Sequence, residues 1–174
     1  MAHIQVNPYI LQSLNHKIAD EHKKMLYRPT AVGLVQSPAG LLMTEAPAKT
    51  GNYWSFPQGG VHKDEGVTHG LLRELWEEVA IRSAWVVVRK FCFAHQVDIP
   101  NWEHDGFTRG KSYYYFHLVA ERSVRIRPDF REVASFKWAA PEEAQDAIFA
   151  LRDRWEMREK ADGMLCALNT ALRP

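Results

Sequence analysis

The apolar positions of the chain alternate between helical and strand spacing, and each change of period marks an element. After Pro8, the residues Ile10, Leu11, Leu14 and Ile18 recur at three- and four-residue steps, which predicts an amphipathic N-terminal helix. TAVGLVQ (Thr30 to Gln36) and GLLMTEA (Gly40 to Ala46) are short apolar runs separated by the turn signal SPAG, and predict a hairpin. YWSFP (Tyr53 to Pro57) reads as a short extended piece ending at a proline. From near His69 to Val79 the helical period returns, with Leu71, Leu72, Leu75, Trp76 and Val79 as an apolar stripe. Ala84 to Val97 and Ser112 to Ala120 are rich in β-branched and aromatic residues and predict long strands around the polar segment DIPNWEHDGFTRG. FKWAAPEEA predicts a last strand and a helix opening at Pro141. IFALRDRWEMREK then reads as helix, with a break or bend expected at Asp162-Gly163. Helix, strands, helix, strands, helix makes one mixed α/β domain.

Composition narrows the classes. The 174 residues are 46% apolar and 25% charged, an ordinary globular balance. A formal net charge of +1 argues against broad nonspecific nucleic-acid binding, yet leaves room for a small basic pocket. The N-terminus has neither the apolar core nor the cleavage site of a signal peptide. No window approaches the apolar run of about 18 residues that would span a membrane, so a cytoplasmic protein without membrane partners is expected. Cys92 and Cys166 are too few for a disulfide framework and read as buried thiols.

The candidate chemistry lies opposite the stripe of the central helix. Glu74, Glu77 and Glu78, in ELWEE, are related by three and four positions and share one face. Like charges at that spacing cost an isolated helix roughly 0.2–0.5 kcal/mol per pair. No lysine stands among them to compensate, Arg73 adjoins the first, and a Gly-Gly pair precedes the helix where backbone can approach a ligand. Clustered carboxylates plus a backbone carbonyl are what hard, octahedral Mg²⁺ or Mn²⁺ requires.

The run GGVHKDEGVTHGLLRELWEEVAI (Gly59 to Ile81) resembles the Nudix box, G-x5-E-x7-R-E-U-x-E-E-x-G-U with U aliphatic. Gly59, Glu65, Arg73, Glu74, Leu75, Glu77, Glu78 and Ile81 fall on the pattern, and Ala80 replaces its glycine. That position ends the helix, where glycine supplies a left-handed turn; alanine there should cost about 1 kcal/mol. The resemblance implies the Nudix fold, a mixed β-sheet sandwiched between α-helices, and hydrolysis of a nucleoside diphosphate linked to another group. It implies metal ligation by Glu74, Glu77 and Glu78 with a loop carbonyl at Gln58 or Gly59, and Arg73 holding a glutamate. Glu65 is expected to support the loop and helix. A carboxylate such as Glu77 or Glu132 would take a proton from the attacking water.

The flanks are similar to the bacterial RNA pyrophosphohydrolase and dinucleoside polyphosphate hydrolase group. YRPTAVGLV (Tyr27 to Val35), YWSFPQGGV (Tyr53 to Val61), VDIP (Val97 to Pro100), GKSYYYF (Gly110 to Phe116) and EVASFKW (Glu132 to Trp138) carry that likeness, from about Leu26 to Phe149. It implies phosphate contacts from Arg28 and Lys111 and a late glutamate at Glu132 joining the metal site; Trp54, Tyr113 and Tyr115 are the candidates for base stacking, although strand aromatics are more often core. Two departures weaken the RNA side: the loop from Pro100 to Gly110 carries Glu103 and Asp105, and Tyr113 replaces a usual lysine. Both a 5′-triphosphorylated RNA and a dinucleoside polyphosphate therefore stand as expected substrates. Another nucleotide (a nucleoside triphosphate or ADP-ribose) and a non-catalytic nucleotide sensor are the rivals. Residues 1–25 lie outside the likeness and form a helical extension, packed on the 26–174 domain or on a second subunit as a homodimer.

Overall fold

The computed structural model describes residues 3–120 and 124–173. In chain order it holds β1 (His3–Ile4), α1 (Pro8–Lys24), β2 (Tyr27–Ser37), β3 (Gly40–Glu45), β4 (Trp54–Ser55), β5 (Gln58–Gly60) and α2 (Val67–Val79). There follow β6 (Val87–Asp98), β7 (Gly110–Val119), β8 (Ser135–Ala139), α3 (Pro141–Phe149) and α4 (Arg158–Leu172). The strands form one eight-stranded mixed sheet in the order β1-β6-β7-β2-β3-β4, with β5 also on β2 and β8 on β3. The SPAG turn closes the predicted hairpin, pairing Gln36 with Leu41.

Side chains of β2 and β7 alternate between two cores, as the pleat requires. Ala31, Val35, Tyr114, Phe116 and Leu118 join the layer of α1 and α2, while Val32, Leu34, Tyr113 and Tyr115 join that of α3 and α4. The α/β sandwich expected from the box is the fold observed.

The N-terminal helix is bound into this frame. Asn7 caps α1, and Leu14, Ile18 and Glu21 are its buried residues. Glu21 accepts hydrogen bonds from Ser112 Oγ at 2.7 Å, Tyr114 OH at 2.9 Å and Gln96 Nε2 at 3.2 Å. Asn15 Oδ1 accepts from Val67 N at 2.9 Å, and so satisfies an orphan N–H of α2 that the cap residue Gly66 cannot.

Three expectations are corrected. The C-terminal helix does not run from Ile148; 3₁₀ turns occupy Ala150–Asp153 and Trp155–Met157, and α4 then passes unbroken through Gly163. Gly163 serves close packing instead: a Cβ there would stand 2.9 Å from the His95 ring and the Tyr115 hydroxyl. Cys166 is exposed, since it lies off the apolar stripe of α4, and Cys92 is half-buried. Trp76, at the edge of the α2 stripe, is 51% exposed.

Ala80 adopts φ 55°, ψ 30° at the end of α2, the left-handed conformation its place in the box demands. Side chains with a Cβ pay for that conformation in steric strain. Ala80→Gly is expected to stabilise by up to about 1 kcal/mol, raising Tm by roughly 2–4 °C in thermal denaturation. No helix among the described residues is long and apolar enough to cross a membrane.

Candidate active site

A cavity of about 360 Å³ opens where β2, β5 and α2 face the β3–β4 loop and the start of α4. Glu74, Glu78 and Glu132 lie on its wall together with Gly59, Arg28, Lys111 and Lys160. Acidic and basic side chains thus share one pocket.

The acidic side is built by α2 and the loops it anchors. Gln58 N donates to Glu78 Oε2 at 3.0 Å. Glu74 packs so tightly over Gly59 that a Cβ at that position would overlap its carboxylate. The segment before β8 reaches the cavity because Asp129 N donates to the Glu78 carbonyl at 2.9 Å, and Glu132 N and Val133 N donate to the Asp129 carbonyl, both at 2.9 Å. These bonds bring Glu132 to the glutamate helix from more than fifty residues away in sequence.

Arg73 resolves much of the repulsion posed by ELWEE. Its Nη1 donates to Glu74 Oε1 at 2.8 Å and to Glu77 Oε2 at 2.7 Å. Nε and Nη2 donate to the two Glu65 oxygens, each at 3.0 Å, and Nη2 also to the Gly60 carbonyl at 2.7 Å. All five guanidinium N–H groups are therefore engaged. Arg73, expected to hold a glutamate, has no donor left for a substrate and holds Glu65, Glu74 and Glu77 in place. Glu65 ties this cluster to the loop by accepting from His62 N at 3.0 Å.

The remaining repulsion falls on Glu78. Burial, reinforced by the Glu74 and Glu132 charges, pushes its pKa up to about 8. Burial also raises the pKa of Glu74. Carboxylates so disfavoured as anions gain from a cation placed among them, and an all-oxygen set suits Mg²⁺ or Mn²⁺. As they stand, no three His, Cys, Asp or Glu side chains among the described residues enclose a cation. The donor chemistry fits, with Glu74, Glu78, Glu132 and the Gly59 carbonyl able to provide it.

The basic side carries Arg28, Lys111 and Lys160, with Lys49 and Arg131 also on the wall. The Arg28 guanidinium lies against Gly60, where a Cβ would stand 2.6 Å from Nη2. It also pairs with Asp105 at 3.4 Å, so the acidic loop competes with any phosphate for this arginine. Burial, reinforced by the Lys160 and Arg28 charges, lowers the Lys111 pKa to about 8. Lys160, only 6% exposed, donates to Tyr53 OH at 3.0 Å and sits over the Tyr53 and Tyr113 rings. Burial brings its pKa down to about 7.

Besides Arg73, the sequence candidates Trp54, Tyr113, Tyr115 and Glu77 stand outside the lining. Tyr53 and Ser55 face the cavity, so the alternation of β4 turns Trp54 away, beneath Lys137 at 4.6 Å. Tyr113, under Lys160, and Tyr115 are buried as part of the core. Glu77 is drawn onto Arg73 and remains half exposed. Lys160 and Tyr53 were not among the sequence candidates. The signal for Lys160 is a lysine at the head of the buried stripe of Met164, Ala167, Leu168 and Ala171.

The chain is similar to known proteins in sequence and in fold. The chain is 33% identical over 105 residues to the RNA pyrophosphohydrolase of Cereibacter sphaeroides, in an alignment covering 55% of this chain and 64% of that protein. Its fold is similar to the crystal structure of a C. elegans Ap4A hydrolase binary complex, with TM-score 0.56 and 18% identity over 76% of this chain and 92% of that one. The E. coli dihydroneopterin triphosphate pyrophosphohydrolase also aligns with TM-score 0.56, at 19% identity over 80% of this chain and 97% of that one. The NUDIX domain matches residues 26–160, which contain the box, the cavity and its acidic and basic walls. The chain belongs to the Nudix family.

Proposed function

We propose that the chain is a Mg²⁺-dependent pyrophosphohydrolase acting on 5′-triphosphorylated RNA or on dinucleoside polyphosphates, leaving a 5′-monophosphate. The observation that carries this reading is the convergence of Glu74, Glu78 and Glu132 with Arg28, Lys111 and Lys160 on one cavity. A phosphate chain needs cationic groups to bind its oxygens and a place where a water can attack phosphorus. The likeness to an RNA pyrophosphohydrolase supports the same class.

In this scheme Glu74, Glu78, Glu132 and the Gly59 carbonyl hold the metal, and Glu77 joins them by turning from Arg73 toward the cavity. Bound there, Mg²⁺ supplies charge neutralisation at the phosphates and acidifies a water. Arg28, Lys111 and Lys160 bind and orient phosphate oxygens by charge-assisted hydrogen bonds. Arg73 keeps Glu74 in register. A carboxylate of the acidic wall takes the proton as water adds to phosphorus. The bridging oxygen leaves with the departing phosphate, and the proton passes to solvent.

Product analysis tests this directly. With Mg²⁺, the protein should convert 5′-triphosphorylated RNA to monophosphorylated ends, or diadenosine tetraphosphate to ATP and AMP. Arg28→Ala should lower kcat/KM on the preferred substrate by roughly 10- to 100-fold with Tm unchanged, since it removes one charge-assisted contact. Turnover only of ADP-ribose or nucleoside triphosphates would move the proposal to those substrates. Binding without turnover of any of these would favour a sensor.

A further inference from the structure

Building on that reading, we propose that an exposed arginine and aromatic strip beside the pocket binds the single-stranded RNA that follows the 5′ end. The strip begins at the cavity wall with Arg131, continues through Phe130 and Arg127 past the C-terminal end of α2, and ends at Trp76, Arg82 and Trp85 on the side of α2 away from Glu74 and Glu78.

Its course follows from backbone bonding. Val124 and Ile126 pack on the core, which leaves Arg125 and Arg127 outward and exposed. Arg127 N donates to the Val79 carbonyl at 3.1 Å, so the segment crosses the C-terminal end of α2 on its way to Glu132. Arg82 follows Val79 by three residues, and its guanidinium lies 5.9 Å from the Trp76 ring centroid and 5.3 Å from that of Trp85. Trp76 is 51% exposed, Trp85 42% and Phe130 73%.

The chemistry of the strip suits a nucleic-acid strand. Each large aromatic left in water forfeits its burial energy, and three of them on one course call for a ligand with flat apolar faces. Bases stack on such rings without sequence preference, while interleaved arginines track the phosphates. Arg131 is partly committed, with Nη2 2.6 Å from Asp129 Oδ2, so Arg82, Arg125 and Arg127 carry most of the attraction. A dinucleoside polyphosphate held in the cavity has no chain to lay along this course. The strip therefore separates a long RNA from a small nucleotide, although the loop facing Arg28 is acidic.

The test uses full-length protein and a 3′-fluorescein-labelled single-stranded 12-mer RNA carrying a 5′-monophosphate, with binding read by anisotropy across a salt series. Arg82→Gln/Arg127→Gln should weaken binding by at least tenfold and flatten the log–log salt slope by about 1.4, roughly 0.7 per lost phosphate contact. Phe130→Ala should weaken binding severalfold with the slope unchanged, since it removes a stacking surface and no charge. Diadenosine tetraphosphate turnover, where the wild type shows it, should be unaltered in all variants. Equal RNA affinity in wild type and variants overturns the assignment. So does a wild type that binds no RNA yet sediments as a dimer that the variants dissociate, which would make the strip a protein interface. Because RNA binding is read apart from hydrolysis, the failure of the pyrophosphohydrolase reading is distinguishable from the failure of the strip.

Discussion

Glu78→Gln is expected to reduce metal-dependent turnover by about 10²- to 10⁴-fold while leaving the fold intact. Glu78 is a partly buried carboxylate of the cavity wall, and Gln58 N holds it through a 3.0 Å bond that an amide oxygen can also accept. With its pKa held up at about 8, the metal-free side chain is mostly protonated at neutral pH, so glutamine is close to an isosteric copy. What the amide cannot do is become an anion when a cation arrives. Stability and catalysis should therefore separate: thermal denaturation of the metal-free variant should match wild type within a few degrees, while its activity collapses. A variant that retains activity would place the reacting centre elsewhere.

Lys160→Met should produce the opposite combination, a more stable protein that works poorly. The ammonium is buried, its one hydrogen-bond partner is Tyr53 OH, and no carboxylate pairs with it among the described residues. Its pKa falls from the ordinary 10.5 to about 7, chiefly through burial. The sign follows from proton counting. Between pH 7 and 10.5 the unfolded chain binds a proton at this site that the folded protein does not, so folding stability rises with pH through that window. Below about pH 7 the folded protein bears the whole cost of the buried charge. Methionine removes that cost and keeps most of the packing, so Tm at pH 6 should rise by roughly 2–6 °C, and less at pH 9. A bound phosphate would return the proton to wild-type Lys160 and pair with it. Losing that contact should lower kcat/KM by about 10²-fold, as removal of a preorganised donor does elsewhere. Unchanged kcat/KM would mean that Lys160 is part of the packing and not of the phosphate site.

The two substitutions also mark how far the sequence could be read. Glu78 was legible because its chemistry is local: a single α-helix carries Glu74, Glu77 and Glu78 on one face, and helical spacing alone reveals them. The left-handed turn at Ala80 was legible for the same reason, being set by its place at a helix end. Lys160 was not, because its position depends on distant packing. Gly163 must lie against His95 and Tyr115 before the lysine three residues earlier can enter a pocket built by β2, β5 and α2. Strand phase explains the exchange of Trp54 for Tyr53, since one residue of register decides which ring meets the cavity. Trp76 was assigned to the buried stripe because its type suited burial, yet its angle on the helix carries it to the edge. The extension of residues 1–25 gave no chemical motif, and its contribution through Asn15 and Glu21 appears only once its partners on α2, β6 and β7 are in place.

The most direct test of the account is a Mg²⁺ titration of chelator-treated protein offered 5′-triphosphorylated RNA and diadenosine tetraphosphate in parallel, with Glu78→Gln alongside. The account predicts no hydrolysis without metal, saturable appearance of 5′-monophosphorylated product as Mg²⁺ is restored, and almost none from the variant at any concentration. Equal turnover in excess chelator, or wild-type turnover by Glu78→Gln, would contradict it.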